Sequence, residues 1–318
     1  MLPFKEKSVA IGDIDVNDDF FRITTDTDIE NLSISIRSLG LINPPFLIKK
    51  KSEFAVVSGF RRIAVCKRIK LTPVKARVIL PGTSRLACVK LAIADNAAQR
   101  AFNLIEQSRA VKALSACCKD NVYIDEAESI PGLPGNRTVL NKIKDICLFP
   151  RSIQNGILEG VISLSTALEL AELGEDAGVA LANVFKDLKL SLNKQREIIT
   201  LIKEIAIREN TLVIKILCED FLQNILKCDK LDRTRKTQKI RHYLKLRRFP
   251  SIVQAEEEFA KHVKALKLGE GIKLIPPKNF EGSAYCLNLY FTNFRELIDR
   301  KVKLEKIISN PGIGKILD

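Results

Sequence analysis

Apolar residues in the first eighty positions recur at a helical spacing in some stretches and as β-branched runs in others. The stretch 28–39 follows the three- to four-residue spacing of an amphipathic helix and ends at Gly40, whereas residues 1–26 look extended. Three strands are predicted in this part, over 46–48, 54–58 and 74–79. A helix over 61–70 separates the last two strands, so the pattern predicts a small mixed α/β unit.

Beyond residue 82 the pattern is helical almost to the end of the chain. Residues 85–118 read as helical with a break near Asn103, and residues 179–265 are almost purely helical after a polar hinge at 174–178. The other predicted elements are helices over 125–130, 136–147, 152–158, 165–173 and 294–308 and strands over 272–275 and 285–291. The chain is therefore predicted to be α+β and mostly α, with four domains over 1–82, 83–178, 179–268 and 269–318.

The junction between the second strand and the following helix carries the most informative chemistry. The β-branched run ends at Ser58 and Gly59, and two arginines, Arg61 and Arg62, follow at once. A strand that turns through glycine into a helix leaves backbone N–H groups pointing outward at the positive end of the helix dipole. Two guanidinium groups at that point predict a site for a phosphate or another anion. A solvated arginine pair at an ordinary turn is the alternative.

The composition and net charge of the chain indicate which class of molecule it binds. The chain has 318 residues, of which 46% are hydrophobic, and a formal net charge of +14. The positive charge favours a nucleic-acid partner. No apolar run is long enough to span a membrane and no secretory apolar segment is visible, so a cytoplasmic, nucleoid-associated protein is expected. Eight cysteines without a C-x-x-C pair, with only two histidines, argue against a zinc site and against a disulfide framework.

Residues 227–248 hold the densest positive charge of the chain. This stretch contains ten Lys or Arg residues against two Asp residues, a net charge of +8. Such an excess repels itself unless a polyanion lies nearby, which predicts sequence-independent contacts with DNA phosphates. The residues predicted to make these contacts are Arg235, Lys236, Lys239 and Arg241. A solvated helix face is the alternative.

Residues 125–147 fit a helix-turn-helix, with a Gly- and Pro-rich turn at 131–135. The second helix is predicted to expose Arg137, Thr138, Asn141, Lys142 and Lys144. Arg137 and Asn141 lie one turn apart near the helix start, where base edges are reached, and arginine suits guanine as asparagine suits adenine. The two lysines are predicted to contact phosphates. A loop between two ordinary core helices is the alternative.

The order of motifs resembles the ParB family of bacterial partition proteins. The segment 35–44, S-I-R-S-L-G-L-I-N-P, is similar to that family's S-I-R-x-x-G-h-x-Q-P block, and G-F-R-R at 59–62 looks like its G-E-R-R motif. The segment 95–106 looks like E-N-x-x-R followed by N-P-x-E. The resemblance covers about residues 8–110 in order and spacing and extends more loosely through the helix-turn-helix. The strand–strand–helix tail resembles the family's C-terminal dimerisation domain.

The resemblance implies an N-terminal domain of the ParB/sulfiredoxin type that binds CTP and Mg²⁺ and closes as a clamp on DNA. Carried over by position, it implies nucleotide contacts from Gly59, Arg61, Arg62, Asn96 and Arg100, and Mg²⁺ ligands at Asp95 and Asn96. It also implies binding of a centromere-like site in double-stranded DNA during chromosome or plasmid segregation, with a ParA-type ATPase as a partner.

Two departures from the family motifs bear on catalysis. Phe60 replaces the acidic residue of G-E-R-R, and Gln99 occupies the place of the arginine in E-N-x-x-R, with Arg100 about 100° further round the helix. The phosphate grip depends less on these positions than hydrolysis does, so at most a weak CTPase is expected. Two alternatives stay open. One is a ParB-like transcriptional or plasmid-maintenance regulator with a degenerate nucleotide site, and the other is an enzyme of the same fold acting on a phosphorylated small molecule.

The C-terminal strand–strand–helix module is too small to bury both a sheet face and a helix face within one copy. Leu287, Leu289 and Phe291 alternate on one side of its second strand. Two copies that pair across a two-fold axis bury those faces, which predicts a homodimer. Packing of the tail on the helices of 179–265 in its own chain is the alternative.

Overall fold

The computed structural model describes residues 2–118 and 122–317. The chain forms two compact units, Met1–Leu192 and Asn193–Asp318. The strands of the first unit are β1 (Phe4–Val9), β2 (Ile14–Asp15), β3 (Phe46–Lys50), β4 (Glu53–Ser58) and β5 (Val74–Ile79). Its helices are α1 (Glu30–Leu39), α2 (Phe60–Arg68), α3 (Arg85–Ala97), α4 (Leu104–Ser115), α5 (Val122–Glu128), α6 (Arg137–Ile143), α7 (Arg151–Leu158), α8 (Leu164–Glu172) and α9 (Glu175–Leu188).

The first unit is built on a mixed five-stranded sheet in the order β1-β5-β3-β4-β2. Strands β3 and β4 form an antiparallel hairpin, β3 runs parallel to β5, and β1 closes the edge antiparallel to β5. The short strand β2 lies parallel to β4 on the other edge. The N-terminal segment, expected to be merely extended, therefore supplies both edge strands.

Helices α3 to α6 share one hydrophobic core with the ends of the sheet strands. Val57 of β4 and Ile79 of β5 pack in the same buried cluster as Val89 of α3, Ile105 of α4 and Leu140 of α6. This core continues across residue 82, so the helical segment is packed against the sheet. The observed architecture is α+β and mostly helical, as the sequence pattern predicted.

Polar N-caps explain where several helices of the first unit begin. The Ser84 side chain accepts from Ala87 N at the start of α3, and Asn136 caps α6 through Val139 N. Asn103 caps α4 in a capping box with Glu106, in which each side chain accepts from the other residue's backbone N–H. The predicted helix break near Asn103 is therefore the N-cap of α4.

The second unit is a helical array followed by a small two-stranded sheet. Its helices are α10 (Leu192–Arg208), α11 (Val213–Leu217), α12 (Asp220–Lys227), α13 (Arg233–Arg248), α14 (Pro250–Leu266), α15 (Phe294–Ile308) and α16 (Gly314–Leu317). Its strands, β6 (Ile272–Ile275) and β7 (Cys286–Leu289), pair antiparallel, with Leu274 opposite Leu287. One sheet face packs on the end of α14, where Leu266 joins Ile272 and Leu274 in a buried cluster.

Two local features differ between the sequence pattern and the structure. The predicted hinge at 174–178 is confined to Gly174, which has a φ of 89°, because Gly178 is buried inside α9. A Cβ on Gly178 would lie 2.7 Å from the carbonyl oxygen of Leu170, so glycine at this position allows α8 and α9 to pack closely. Leu39, the last apolar residue of the predicted amphipathic helix over 28–39, is 71% exposed, and the two buried residues of α1 are Ser33 and Ile36.

No helix in the described part of the chain is both long enough and apolar enough to cross a bilayer. All eight cysteines are unpaired. Within 2–118 and 122–317 no cluster of three or more His, Cys, Asp or Glu side chains is placed to hold a metal ion. The division of the chain into four domains stays a prediction.

Candidate functional site

The G-F-R-R turn lines a cavity of about 430 Å³ in the first unit. Its walls come from the end of β4, the start of α2, the end of α3, the segment before β3 and the start of α4. Four arginines face two carboxylates among the lining residues, which are Arg61, Arg62, Arg77, Arg100, Asp95 and Glu106. A cavity of this size and charge is suited to an anionic small molecule.

Gly59 lines the cavity at the turn between β4 and α2. It is the residue before α2, with φ 98° and ψ 27°, a left-handed conformation that favours glycine. A Cβ on Gly59 would lie only 2.8 Å from the Cβ of Pro45 and 3.1 Å from Nε of Arg62. Glycine therefore allows the loop to lie against Pro45 and places the first backbone N–H groups of α2 beside the cavity, where an anion is stabilised.

The two arginines of the turn diverge. Arg61 donates from Nε to the Asp28 carbonyl oxygen at 2.9 Å, and its Nη1 lies 2.8 Å from Oδ2 of Asp26. Its guanidinium therefore fixes the segment before α1. The Arg62 guanidinium takes another direction, donating from Nη1 to the Asn43 carbonyl oxygen at 2.7 Å and from Nη2 to Asp95 Oδ2 at 3.3 Å. Burial lowers the pKa of Arg62, the nearby positive charge of Arg77 lowers it further, and Asp95 opposes both effects.

Asp95 and Asn96 lie at the end of α3 and line the same cavity. Asp95 Oδ2 accepts from the buried Ser58 hydroxyl and from Arg62, which joins α3 to the β4–α2 turn. Asn96 Nδ2 donates to the Ala92 carbonyl oxygen at 2.7 Å, so its Oδ1 is directed away from its own helix. Within the described residues no hydrogen bond occupies Asp95 Oδ1 or Asn96 Oδ1. These two oxygens fit the hard-ligand preference of Mg²⁺, which takes its remaining ligands from phosphate and water.

Arg100 forms a structural ion pair with Glu106. Its Nη1 and Nη2 lie 2.7 and 2.6 Å from the two carboxylate oxygens of Glu106, whose side chain is 1% exposed. Glu106 also accepts from the backbone N–H groups of Thr25 and Asn103. Burial alone would raise the pKa of Glu106, but these hydrogen bonds outweigh it and hold the pKa at about 2. Gln99 turns back onto the Asp95 carbonyl oxygen.

Sequence reasoning missed Arg77, the fourth arginine of the cavity. It lies on β5, and its guanidinium carbon is 5.5 Å from the ring centre of Phe4 and 5.4 Å from that of Phe46. Its Nε is buried and donates no hydrogen bond to any described residue. The available signal was one arginine in the strand Val74–Ile79, whose other residues are mostly apolar. A strand arginine has no motif around it, so this signal alone does not predict a site.

The segment predicted to form a helix-turn-helix folds as α5, a turn and α6, and α6 is shorter than the predicted helix over 136–147 because it ends at Ile143. Arg137, Thr138, Asn141 and Lys142 are exposed on α6, whereas Leu140 and Ile143 are fully buried beneath them. Asn141 Oδ1 accepts from the Tyr123 hydroxyl at 2.9 Å, and Lys144 Nζ lies 4.8 Å from the ring centre of Tyr123. Arg137 has a long contact of 3.7 Å with Asp125. The expected residues therefore share one face, although Asn141 and Lys144 both contact Tyr123 of α5.

The basic stretch is divided in two by the fold of the second unit. On one flank of α13 the guanidinium and ammonium groups are paired with acidic residues that lie on α10 or beside the ends of α10 and α12. These pairs are Arg241 and Lys245 with Glu197, Arg247 with Glu209 and Glu219, and Arg248 with Glu204. Hydrogen bonding from Arg247, opposed in part by burial, lowers the pKa of Glu209 to about 2.

The outward face of α13 carries two of the predicted phosphate contacts. Arg235 and Lys239 lie one turn apart and are exposed, and Arg235 has only a 3.8 Å contact with Asp232. Lys236 Nζ donates to the Leu226 carbonyl oxygen at 2.6 Å. Of the four residues predicted to contact phosphates, Arg235 and Lys239 thus face solvent, whereas Lys236 and Arg241 are engaged within the unit.

Helix α15 presents an apolar stripe to solvent. Phe294, Ile298 and Val302 recur every four residues and are 75%, 47% and 47% exposed. The opposite side of the helix is packed, since Ile307 is buried against the β6–β7 sheet cluster. The tail therefore packs on α14 of its own chain and also leaves this stripe uncovered.

Comparison with protein-family models gives no match for this chain. The curated protein "Probable chromosome-partitioning protein ParB" of Helicobacter pylori is 21% identical over 177 residues, which is 56% of this chain and 59% of that protein. The chain thus spans about three fifths of the length of this relative.

Solved structures give weaker similarities. The C-terminally truncated ParB of Caulobacter crescentus aligns in its complex with CTP-gamma-S at 22% identity, covering 57% of this chain and 98% of that one, with a TM-score of 0.26. Its complex with the centromeric parS site aligns at 23% identity over 60% and 95%, with a TM-score of 0.28. A Pnob8-like ParB-N domain aligns at 16% identity over 78% and 98%, with a TM-score of 0.39.

The similarity to ParB proteins lies in the sequence match and in the order of the motifs. The matching segments run from the S-I-R block at 35–44 through the turn at 59–62 to the segment 95–106. By these segments the chain is similar to ParB partition proteins, at 21% identity to the Helicobacter pylori protein.

Proposed function

We propose that this protein is a DNA-binding partition protein of ParB type that binds CTP with Mg²⁺ in the arginine-lined cavity. The observation that carries the proposal is the cavity itself, with helix N-terminal amides, Arg62 and two oxygen ligands around one space. In this proposal the CTP phosphates bind at the start of α2, and Asp95 and Asn96 supply oxygen ligands to Mg²⁺.

The nucleotide is proposed to act on DNA binding through the segments joined at the cavity. Arg61 ties the segment before α1 to the turn, and Glu106 ties Thr25 to α4. Helix α4 shares its core with α5 and α6, the two helices of the proposed helix-turn-helix. A ligand that changes the arrangement of these segments is therefore able to change the DNA-binding surface. Centromere-like site binding, a ParA-type ATPase partner and any weak CTP hydrolysis belong to the same proposal.

The second candidate is a ParB-like transcriptional or plasmid-maintenance regulator whose nucleotide site is degenerate. Two observations favour it: Arg61 and Arg100 are engaged in internal ion pairs, and Phe60 replaces the acidic residue of the family motif. In that case the cavity is a remnant and DNA binding is independent of nucleotide.

The two candidate functions are distinguished by how much protein stays bound to a DNA whose two ends are blocked. A bound sequence is first selected from random duplexes, and the protein is then loaded on that DNA with and without CTP and Mg²⁺. The partition proposal predicts that CTP increases the amount of protein that survives a high-salt wash, and that cutting the DNA releases it. Equal retention with and without CTP, with retained affinity for the selected sequence, supports the regulator instead.

Base recognition by α6 is the first prediction for the DNA surface. Replacing Arg137 or Asn141 with alanine should weaken binding to the selected sequence by about 1–3 kcal/mol each, because a bidentate base contact is lost. Binding to unrelated DNA should change much less, as measured by fluorescence anisotropy. Arg151→Ala, an exposed charge at the start of α7, is the control. Equal losses on specific and unrelated DNA would contradict the base-reading role.

The outward face of α13 is predicted to add sequence-independent affinity. Lys239→Gln should flatten the dependence of log affinity on log salt by about 1, because one phosphate contact is lost. Arg247→Gln removes the same charge from the same helix but breaks internal ion pairs, so it should lower stability and leave the salt slope unchanged. An unchanged slope for Lys239→Gln excludes a phosphate contact at that residue.

The apolar stripe of α15 is proposed to form a homodimer with the same stripe of a second copy. Ile298→Asp should convert the protein from dimer to monomer in sedimentation analysis, because it places a charge in the centre of a buried apolar contact. Lys306→Asp, on the same helix and outside the stripe, should remain dimeric. A wild-type protein that is monomeric at micromolar concentration rules out this interface.

A further inference from the structure

The four arginines of the cavity differ in how far their charge is already neutralised. Arg61 pairs with the Asp26 carboxylate and donates to the Asp28 backbone carbonyl oxygen, and Arg100 is held by both carboxylate oxygens of Glu106. Their guanidinium groups are therefore committed to joining segments of the chain. Asp95 Oδ2 accepts from both Ser58 and Arg62, and its distance to Arg62 Nη2 is long, at 3.3 Å. Arg77 has the weakest partners of the four.

The polar environment of Arg77 is incomplete. Its partner across the β1–β5 ladder is Glu6, and Nε of Arg77 lies 3.7 Å from a carboxylate oxygen of Glu6, whose side chain is 70% exposed. A contact of that length to an exposed carboxylate stabilises little. The Nε atom is nevertheless buried, and no described residue accepts its hydrogen bond. A buried donor without an acceptor is unfavourable unless a ligand or water completes it.

Arg77 is rigidly placed despite these weak polar contacts. Its guanidinium carbon lies between 5 and 6 Å from the ring centres of Phe4 and Phe46, which pack edge to face at 5.6 Å. Its backbone N–H donates to the Pro45 carbonyl oxygen at 2.9 Å, beside the segment that contacts Gly59. The aromatic pair therefore orients a guanidinium that approaches the cavity from β5, whereas Arg62 approaches it from α2.

Two positive groups that meet in one partly buried cavity repel each other. The positive charge of Arg77 contributes to the lowered pKa of Arg62, which places the two groups within electrostatic range. Asp95 is the one carboxylate in the cavity with an oxygen not engaged by a described donor, and it already accepts from Ser58. An anion with several oxygens relieves this repulsion and supplies acceptors to both guanidiniums at once.

We propose that Arg77 is a phosphate-binding residue that acts with Arg62, and that these two guanidiniums grip the polyphosphate of the ligand while Arg61 and Arg100 serve only to hold the walls of the cavity. The assignment rests on the proposed nucleotide site and adds a residue from β5 that lies outside the G-F-R-R and D-N-A-A-Q-R motifs. Arg77 also provides a guanidinium from β5 in a chain that has Gln99 where the family motif has arginine.

Calorimetric titration of the full chain with sodium tripolyphosphate and, separately, with CTP and Mg²⁺ tests this assignment. Arg77→Gln should weaken binding of both ligands by about tenfold or more, the size of one charge-assisted hydrogen bond. Arg77→Lys should recover part of the loss, because it keeps the charge and loses the planar fork. Lys75→Gln is the matched control, since it removes one positive charge from the same strand two residues away and does not line the cavity.

A second variant guards against loss of folding in Arg77→Gln. Glu6→Gln removes the exposed carboxylate that competes for Arg77, so tripolyphosphate should bind as tightly as to the wild type or more tightly. Weaker binding in Glu6→Gln, or wild-type affinity in a folded Arg77→Gln protein, overturns the assignment. The melting temperature of each variant establishes that it is folded.

The two ligands separate failure of this assignment from failure of the proposed function. If the wild type binds CTP and Arg77→Gln binds it equally, the nucleotide site stands and the role of Arg77 falls. If tripolyphosphate binds through Arg77 and CTP does not bind, the phosphate grip stands and the CTP proposal falls. If the wild type binds neither ligand, both are wrong.

Discussion

Replacing Glu106 with glutamine is expected to lower the free energy of unfolding by about 3 kcal/mol, a large share of a single unit's stability. The Glu106 carboxylate is buried and accepts from Arg100, Thr25 and Asn103, so it joins the segment before α1 to the start of α4. The amide keeps the shape but loses the charge that strengthens each of these bonds. Chemical denaturation, followed through the unfolding transition of the first unit, measures this change in the free energy of unfolding.

The same carboxylate gives stability a defined pH dependence. Its pKa is lowered from 4.5 to about 2 in the folded chain, so the unfolded chain takes up a proton first as the pH falls. The stabilisation is complete above about pH 4.5 and is lost as the pH falls towards about 2. The difference between wild type and Glu106→Gln should therefore narrow over that range. Glu128→Gln, an exposed change on α5, should have neither effect. A difference that stays constant with pH would show that the charge is not the cause.

Gly59→Ala is expected to disable the cavity. The added Cβ meets Pro45 at 2.8 Å in a backbone with φ 98°, so the start of α2 has to move. The left-handed conformation alone costs about 1–2 kcal/mol for a residue with a side chain. We expect affinity for CTP to fall by at least about tenfold, since the helix amides and Arg62 shift together. Calorimetry with CTP and Mg²⁺ measures this change.

Gly12→Ala is the matched control for that substitution. Gly12 lies in the same unit, and a Cβ there meets nothing within 4 Å. Both the melting temperature and CTP affinity should stay at the wild-type value in this variant. CTP affinity unchanged in a folded Gly59→Ala protein would mean that the turn does not contact the ligand.

Much of the local structure follows from the sequence because short-range signals determine it. Strand β5 and helix α15 have the predicted bounds, Gly40 ends α1 with a φ of 75°, and Asn103 marks the start of α4. These signals are apolar periodicity, glycine in a left-handed conformation and polar N-caps. Strand β1 was not predicted, because its residues are almost all exposed and the strand depends on pairing with β5, seventy residues away.

The sequence predicts an anion site at the G-F-R-R turn but not the roles that the structure gives to the side chains around it. Motif order brings Gly59, Arg62, Asp95 and Asn96 around one space, as the resemblance implies. Nothing in the sequence indicates that Arg61 pairs with Asp26 or that Arg100 pairs with Glu106, because the first pair bridges thirty-five positions and the second depends on burial of the carboxylate. Arg77 enters the cavity only because β5 lies beside β3.

The charge of α13 illustrates the same limit. A net charge of +8 over 227–248 predicts a polyanion site when the stretch is considered alone. Folding brings Glu197, Glu204, Glu209 and Glu219 against one flank and neutralises much of that charge. The prediction of phosphate contact is thereby narrowed to the outward face with Arg235 and Lys239.

Binding of CTP to the isolated 318-residue protein tests the central claim most directly. Calorimetric titration with CTP in the presence of Mg²⁺ should show one saturable site per chain, with affinity reduced by at least about tenfold in Arg62→Gln and after removal of Mg²⁺ by chelation. Heat of dilution alone from a folded wild-type protein, up to millimolar CTP, would contradict the account.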